Sequence, residues 1–243
     1  MECAHEVSEP TAPAPGAGTP LRVASYNTRD FHDDRRAAAR VVRAIRPDVL
    51  CLQEVPRRLL GAHQVRRFAA ECGLSWSGSH RGSGGTTILT GPRVRPARTW
   101  HRRLSVALHR RTRGYALSRL VLECGRPLVV ASVHLSLDAG ERHAHTTQIL
   151  REVRAVAGDT TGIVLAGDLN EVETGSAWRL LDARLRLVSP AAPTFPARRP
   201  RTLLDVIFAS PEVQALPHVE VALDEGDLVA ASDHRPVWAD LVV

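Results

Sequence analysis

Five apolar segments of this chain have the composition of buried β-strands, and each ends in a residue that can bind a metal, a water molecule or a phosphate. A packed sheet gathers the ends of its strands along one edge, so residues that are far apart in sequence can share one cleft. The pattern therefore predicts a polar site at the edge of a sheet. The five segments are 22–27, 48–54, 127–134, 162–170 and 202–205, and a sixth polar group at 232–236 precedes the last apolar run.

The length and composition fit one globular domain, because 243 residues with 44% hydrophobic content can bury one substantial core. We assign residues 21–243 to this domain and residues 1–20, which are rich in Ala, Pro and Gly, to a flexible leader. The leader lacks a positively charged start followed by an apolar core, and no apolar run reaches membrane-spanning length. We therefore expect a cytoplasmic monomer without a membrane span.

Strand and helix patterns alternate in both halves of the chain. Acidic residues before an apolar-periodic segment predict a helix at 35–45, which Pro47 stops. An α/β sandwich, with two packed mixed β-sheets flanked by helices, fits the order of elements better than a purely parallel doubly wound sheet. Further helices are predicted at 56–72, 139–156 and 176–181, and the last three strands at 203–209, 218–223 and 236–242.

The net charge favours an acidic partner. The chain has 32 Lys+Arg against 26 Asp+Glu and a pI near 10.0, which points to nucleic acid or a phosphorylated small molecule. Every basic residue is arginine, however, a bias that genome base composition can produce without selection for a ligand. The strip 93–113 holds eight arginines and Trp100 and no acidic residue. It could cradle a phosphate backbone, or it could be a solvated hairpin.

Glu54 is the strongest metal candidate, because it follows an apolar strand where a free carboxylate would otherwise need water or a partner. Mg²⁺ takes one or two carboxylates and fills its other positions with water and substrate oxygens. Together with Asn27, Glu54 would provide enough protein ligands for that ion. The alternative is a Glu that only caps the helix predicted to start near Pro56.

Two further groups of residues have the types that proton transfer and phosphate binding require. Asp168 and Asn170 stand two apart after a strand, so both side chains can face one side, and a carboxylate can orient or deprotonate a water. An Asp/Asn turn at a strand end is the alternative. Asp205 and His234 could form a carboxylate–imidazole pair, and His134 ends a strand and would be a second imidazole. The alternative for His134 is a histidine on the surface, or one in the core whose ring nitrogens have hydrogen-bond partners.

Taken together, the motifs resemble the endonuclease/exonuclease/phosphatase superfamily of DNase I-like, metal-dependent phosphohydrolases. Any one motif is weak, but six in the family's order, spanning residues 21–243, make the resemblance specific. It implies a four-layer α/β sandwich with its cleft at one edge of the two sheets. The motifs are Ser25-Tyr26-Asn27, Leu52-Gln53-Glu54, Ser132-Val133-His134, Gly167-Asp168-Leu169-Asn170, Leu204-Asp205-Val206 and Ser232-Asp233-His234-Arg235-Pro236.

The resemblance also implies a metal cofactor, Mg²⁺, with Mn²⁺ as the alternative ion. By this likeness Asn27 and Glu54 hold the ion, and Asp233 is a further metal or water contact. The implied reaction is in-line attack of water on phosphorus, with the ion neutralising the developing charge.

The remaining motif residues take catalytic roles in the same likeness. Asp168 with Asn170 positions the nucleophilic water and a phosphate oxygen. Asp205 orients His234, which acts as a base or a phosphate clamp, and His134 stabilises the transition state or assists the leaving group. Repair endonucleases of the family usually carry Asn where this chain has His134, so the chain is more similar to the DNase, sphingomyelinase and phosphatase branch.

We therefore predict a Mg²⁺-dependent phosphoester hydrolase, a phosphodiesterase, nuclease or phosphatase, whose substrate could include nucleic acid. A catalytically silent module that binds nucleic acid through the strip 93–113 is the alternative. The first requires Glu54 and a metal, whereas the second predicts salt-sensitive binding that needs neither.

Overall fold

Two six-stranded mixed sheets form the centre of the computed structural model, which describes residues 20–78 and 80–243. Most of the predicted leader lies outside the described residues, and residue 20 belongs to the first strand rather than to the leader. The first sheet has the order β11-β12-β1-β2-β4-β3 and the second β5-β6-β7-β8-β10-β9. The first sheet contains β1 (Pro20–Asn27), β2 (Val49–Gln53), β3 (Ser75–Trp76), β4 (Thr87–Thr90), β11 (Gln214–Ala215) and β12 (Val237–Val242). The second contains β5 (Val94–Leu104), β6 (Arg113–Leu122), β7 (Pro127–His134), β8 (Gly162–Asp168), β9 (Arg186–Leu187) and β10 (Asp205–Ala209).

Helices cover the outer faces of both sheets, which gives four layers and confirms the predicted α/β sandwich. Apolar residues of the two sheets face each other in one core cluster, with Val23, Val130 and Ile207 among its fully buried members. A second cluster joins the second sheet to α3 and α4, and a third joins the first sheet to α1, α2 and α5. The helices are α1 (Arg35–Ile45), α2 (Gly61–Glu71), α3 (Ala139–Ala157), α4 (Ser176–Asp182) and α5 (Glu225–Ala231).

The pairing of the central strands brings their ends to one edge. β1 and β2 are parallel, as are β7 and β8, so the carboxyl ends of each pair lie side by side. In the second sheet, β8 lies between β7 and β10, and Asp168 is opposite His134 on one side and Asp205 on the other. Strand register alone therefore places three predicted site residues, His134, Asp168 and Asp205, side by side on adjacent strands.

Local sequence signals explain the helix boundaries that were predicted correctly. The side chain of Asp34 caps α1 by accepting from the backbone N–H groups of Arg36 and Ala37, at 2.8 and 3.1 Å. Arg46 ends the helix in the left-handed conformation immediately before Pro47. Asp138 caps α3 in the same way through the N–H of Glu141.

Two predicted elements are wrong. The second helix does not start near residue 56 but at Gly61, because Val55 N–H donates to Gly85 O and holds the chain against the neighbouring loop. The strand predicted at 218–223 does not form: Leu216 N–H donates to Asp240 O, but Pro217 has no N–H to continue the pairing. The segment passes instead into α5, a helix that was not predicted from the sequence.

Across the described residues, no helix combines the length and the apolar composition needed to cross a bilayer.

Candidate active site

Asp168 lies at the centre of a cluster of polar side chains at the common edge of the two sheets. Nδ2 of Asn27 donates to Oδ2 of Asp168 at 3.0 Å. The same oxygen lies 3.5 Å from Nε2 of His134 and 3.8 Å from Nε2 of His234. Glu54 reaches this cluster from the end of β2, with its Oε1 3.7 Å from Nε2 of His134. The structure thus brings together five predicted residues from both sheets.

Burial and charge change the protonation of Asp168, which is 1% exposed. Burial is the first cause that raises the pKa of Asp168, and the negative charge of Asp205 raises it further. The charge of His234 and hydrogen bonds from the Asn170 N–H and the Asn27 amide act in the opposite direction. A carboxylate with a raised pKa accepts a proton more readily than an ordinary Asp, which suits it to take a proton from water.

Asp205 fixes the ring of His234. Nδ1 of His234 lies 2.8 Å from Oδ2 of Asp205, a residue with 0% exposure. Burial lowers the pKa of His234, but the charge and hydrogen bond of Asp205 and the charges of Asp168 and Asp233 outweigh it, raising the pKa to about 10. The imidazole is therefore protonated at neutral pH and carries a positive charge at this edge.

Thr194 supports this pair and is not among the residues predicted from the sequence. Its hydroxyl donates to Oδ2 of Asp205 at 2.6 Å, and its oxygen accepts the backbone N–H groups of Leu204 and Asp205, both at 3.2 Å. Thr194 lies in the proline-rich segment 189–201, which forms a loop. No periodic pattern marks one hydroxyl in such a loop as a contact of a buried carboxylate.

His134 occupies an environment opposite to that of His234. Burial lowers the pKa of His134 well below its usual value, and the positive charges of Arg113, His234 and Arg57 lower it further. Its ring is therefore neutral at physiological pH. Within the described part of the chain, its buried Nδ1 has no hydrogen-bond partner, so only Nε2 faces the polar cluster.

The oxygen donors on the Glu54 side fit a hard divalent cation. Glu54 has a left-handed backbone with φ of 49°, and its carboxylate makes no hydrogen bond within residues 20–78 and 80–243. It does not cap α2, whose N-cap is Leu60, so the capping alternative is wrong. Oδ1 of Asn27 accepts the Arg29 N–H at 3.1 Å and keeps a second lone pair. Carboxylate and amide oxygens are ligands that Mg²⁺ prefers.

A second group of potential ligand atoms, from Asp168, Asp205 and His234, lies within 4.8 Å of one another. The hydrogen bond between Asp205 and His234 already uses one atom of each. Fewer lone pairs remain there for an ion than beside Glu54, so the Glu54 side fits a metal better.

Asn170 and Asp233 lie at the margin of the cluster. Nδ2 of Asn170 donates to Leu135 O at 3.0 Å, so the amide group is held against the backbone with its oxygen unoccupied by that bond. Asp233 has a side chain 37% exposed, and its Oδ2 lies 3.5 Å from Nε of Arg29. Its contact is thus with an arginine at the rim, not with Glu54 or Asn27.

Gly167 and His80 are two further residues that lie near this edge in tightly packed positions. At Gly167 a side chain would collide with the neighbouring strand β7, because a Cβ atom would lie 2.0 Å from Val133 O. His80 is 7% exposed, and its Nε2 lies 2.9 Å from Pro56 O. Both residues serve packing at this edge.

The strip 93–113 does not form one continuous basic surface. Much of it is the exposed edge strand β5, and the guanidinium of Arg98 lies 5.0 Å from the centre of the Trp100 ring. Arg113 is buried. Three further arginines are held in ion pairs, Arg93 with Asp48, Arg102 with Glu152 and Arg110 with Asp138.

Comparison with known proteins identifies the relatives of this fold. A family model described as the endonuclease/exonuclease/phosphatase family matches residues 24–234. No curated protein matches the chain.

Several solved structures share the fold at low sequence identity. An endonuclease/exonuclease/phosphatase from Bacteroides vulgatus superposes with a TM-score of 0.74 at 17% identity, covering 93% of this chain and 99% of that one. A mannosyl-6-phosphatase from Bacteroides thetaiotaomicron gives 0.73 at 18% identity, with 92% and 100% covered. The catalytic domain of human Nocturnin with a bound sulfate anion gives 0.66 at 18% identity, with 91% and 93% covered.

Proposed function

Because the chain belongs to the endonuclease/exonuclease/phosphatase family, we propose that it is a Mg²⁺-dependent hydrolase that cleaves a phosphoester by in-line attack of water on phosphorus. It is a phosphoester hydrolase by family membership, and dependence on a divalent metal is typical of that family. The choice of Mg²⁺, with Mn²⁺ as the alternative, and the residue roles that follow are our inference.

The observation that carries the proposal is the contact of Asp168 with three partners at one buried edge. Asn27 donates to this carboxylate, and the imidazoles of His134 and His234 approach the same oxygen from two sides. This carboxylate is buried, lies beside two imidazoles and has a raised pKa. It is therefore suited to accept a proton from an attacking water.

We assign the other side chains separate roles in the reaction. Asp168 takes the proton of the water whose oxygen forms the new bond to phosphorus, and Asn170 contacts a phosphate oxygen. Asp205 holds His234 as an imidazolium, which favours the role of phosphate clamp over that of base. Neutral His134 directs Nε2 at the phosphate and assists departure of the alkoxide as the ester P–O bond breaks.

Asn27 and Glu54 would hold the metal, and Asp233 stays a candidate for a water-mediated contact. The chemistry that a bound Mg²⁺ supplies is Lewis-acid neutralisation of charge on the phosphate oxygens. Glu54 can take this role without losing a hydrogen bond that the fold needs, since its carboxylate has none within the described residues.

A chromogenic assay tests this proposal. The purified full chain should hydrolyse bis-p-nitrophenyl phosphate or p-nitrophenyl phosphate with Mg²⁺ or Mn²⁺ and lose turnover in excess chelator. Asp168→Asn, Glu54→Gln and His234→Asn should each lower kcat/KM by roughly a hundredfold or more. Plasmid DNA and RNA belong in the same panel, because the net charge admits nucleic acid as substrate.

Matched controls separate chemistry from general damage. Glu123 and His63 are exposed and lie outside the cluster, so Glu123→Gln and His63→Asn should keep wild-type turnover. If Glu54→Gln and Asp168→Asn also keep metal-dependent turnover, the assignment of this site is wrong. Salt-sensitive binding of nucleic acid that survives Glu54→Gln, without any turnover, would favour the silent module instead.

A further inference from the structure

Four leucines project into solvent beside the active-site edge. Leu59 is 93% exposed, Leu60 68%, Leu108 89% and Leu137 75%. A single exposed leucine needs no explanation, but a concentration of them marks an interaction surface. These four lie in three loops, 56–60, 105–112 and 135–138, which we call the leucine loops.

The leucine loops are direct continuations of the catalytic segments. Loop 56–60 follows Glu54, and loop 135–138 follows His134 at the end of β7. Loop 105–112 leads into β6, whose Gly114 is paired with His134. All three loops therefore leave the sheets at the edge that carries the active site.

Unpaired arginines stand among these leucines. Arg57 and Arg111 are exposed, and neither side chain makes a hydrogen bond or ion pair with any residue in the ranges 20–78 and 80–243. One cavity is lined by Arg57, Leu59 and Arg111. A second cavity, of about 330 Å³, is lined by Arg111 and Leu137. Arg111 thus joins all three leucine loops into one surface.

Charge on this surface is predominantly positive. The first cavity is lined by one carboxylate, that of Asp30, and by three arginines, Arg57, Arg58 and Arg111. In the second cavity the carboxylate of Asp138 is already paired with Arg110, at 3.1 Å. The side chain of Arg113, which is 7% exposed, also lines the second cavity and has no polar partner in the described chain. A surface of this kind attracts anions.

We propose that the leucine loops form a docking surface for an anionic lipid bilayer, with the leucines entering the acyl boundary and Arg57 and Arg111 contacting lipid phosphates. If the proposed hydrolase function holds, the substrate is a phosphoester presented at that bilayer, since the docked surface adjoins Glu54 and His134. Exposed apolar side chains flanked by basic ones are the combination that interfacial binding requires.

The side chains favour lipid over nucleic acid as the occupant. Proteins that bind single-stranded nucleic acid stack bases on aromatic rings, and the leucine loops contain no Phe, Tyr or Trp. Leucine contributes affinity only where apolar surface is removed from water, which a phosphate backbone cannot provide.

Sedimentation with lipid vesicles tests the proposal without any turnover. The full chain is mixed, in chelator, with vesicles of phosphatidylcholine alone or of phosphatidylcholine with phosphatidylglycerol. The wild type should bind the mixed vesicles and bind them more tightly than the neutral ones. Leu59→Ser/Leu137→Ser should weaken binding roughly tenfold or more, and Arg57→Gln/Arg111→Gln about fivefold per arginine.

Residues of the same type elsewhere supply the controls. Val219 is an exposed apolar residue outside the leucine loops, and Arg151 is an exposed arginine on α3. Val219→Ser and Arg151→Gln should bind like the wild type. Circular dichroism of every variant checks that these surface changes leave the fold intact.

Two outcomes would overturn the proposal. One is a wild type that does not sediment with phosphatidylglycerol vesicles. The other is binding that depends on Arg57 and Arg111 but is unchanged in Leu59→Ser/Leu137→Ser, which would indicate a soluble anion or nucleic acid. Because the measurement uses no substrate and no metal, it remains decisive even if the chromogenic assay fails.

Discussion

The side-chain hydroxyl of Thr194 donates a hydrogen bond of 2.6 Å to Oδ2 of Asp205. That oxygen also accepts from the imidazole of His234, at 2.8 Å from Nδ1. Since Asp205 is fully buried, Thr194 limits the directions in which the carboxylate can turn. We therefore expect Thr194 to be a positioning residue that acts on the proposed reaction through Asp205.

Thr194→Val should lower kcat/KM roughly tenfold to a hundredfold, the equivalent of one hydrogen bond to a charged group. Thr194→Ser keeps the hydroxyl and should restore most of the activity. Thr146→Val, at a buried threonine on α3 remote from the cluster, should change kcat/KM less than about twofold. Equal loss in the Ser and Val variants would contradict a role for the hydroxyl.

A buried polar bridge between the two sheets lies next to the edge that carries the candidate active site. Nε2 of Gln53 in β2 donates to Oγ of Ser132 in β7 at 3.1 Å, and this hydroxyl donates to Leu52 O at 3.0 Å. Oγ of Ser25 donates to Oε1 of Gln53 at 3.3 Å. The bridge fixes the two strands that carry Glu54 and His134 relative to each other.

Ser132→Ala should destabilise the fold by about 1–3 kcal/mol, because it leaves the buried Gln53 amide without its acceptor. Gln53→Leu removes that amide, so the double variant should lose less stability than the sum of the two single variants. Urea unfolding of the three proteins measures this coupling. Strict additivity would show that the two side chains do not interact.

Glu71 joins α2 to α1 through Arg35 and accepts a further bond of 3.1 Å from Arg67. The hydrogen bond from Arg35 is the main cause that lowers the pKa of Glu71; burial opposes it and Arg67 adds to it. A carboxyl whose pKa is lower in the folded state adds stability above its unfolded pKa and loses it as pH falls through the folded value.

Glu71→Gln should therefore lower the free energy of unfolding by about 0.5–1 kcal/mol at neutral pH, since the pair is partly exposed. The difference from wild type should shrink as the pH falls through the lowered pKa. Urea unfolding at neutral and acidic pH measures it, with Glu220→Gln at an exposed, unpaired position in the described chain as control. A difference that does not change with pH would show that the ion pair is not its source.

The elements predicted correctly from the sequence are those whose boundaries are determined by a local sequence signal. β7 begins and ends where the apolar run 127–134 does. α1 follows its acidic N-cap and stops before Pro47. Strands buried on both faces are nearly continuous apolar runs, so their ends, and with them His134 and Asp168, could be placed at one edge.

The remaining features depend on contacts between distant segments. Nothing near Thr194 in sequence indicates that Asp205 and His234 lie beside it. α5 was missed because the alternating residues before it predict a strand, while its own short apolar stretch becomes helical against α1. The unpaired arginines could be counted in the sequence, but only the fold shows which of them lack acidic partners.

Gly167 precedes Asp168 in β8, where it is paired with Val133 in β7 and Val206 in β10. A Cβ atom there would lie 2.0 Å from Val133 O, and backbone cannot yield as a flexible side chain does. An alanine must therefore push β7 and β8 apart beside Asp168, the carboxylate at the centre of the candidate active site.

Gly167→Ala should accordingly destabilise the fold by about 2 kcal/mol or more and lower kcat/KM with it. Gly140→Ala is the matched control, because it lies in the first turn of α3 and its nearest contact would be a side-chain oxygen of Asp138 at 3.3 Å. Alanine favours the helix there, so its stability should be unchanged or slightly higher. Thermal unfolding and the chromogenic assay measure both effects. A Gly167→Ala variant with wild-type stability and turnover would mean that β7 and β8 do not approach this closely beside Asp168.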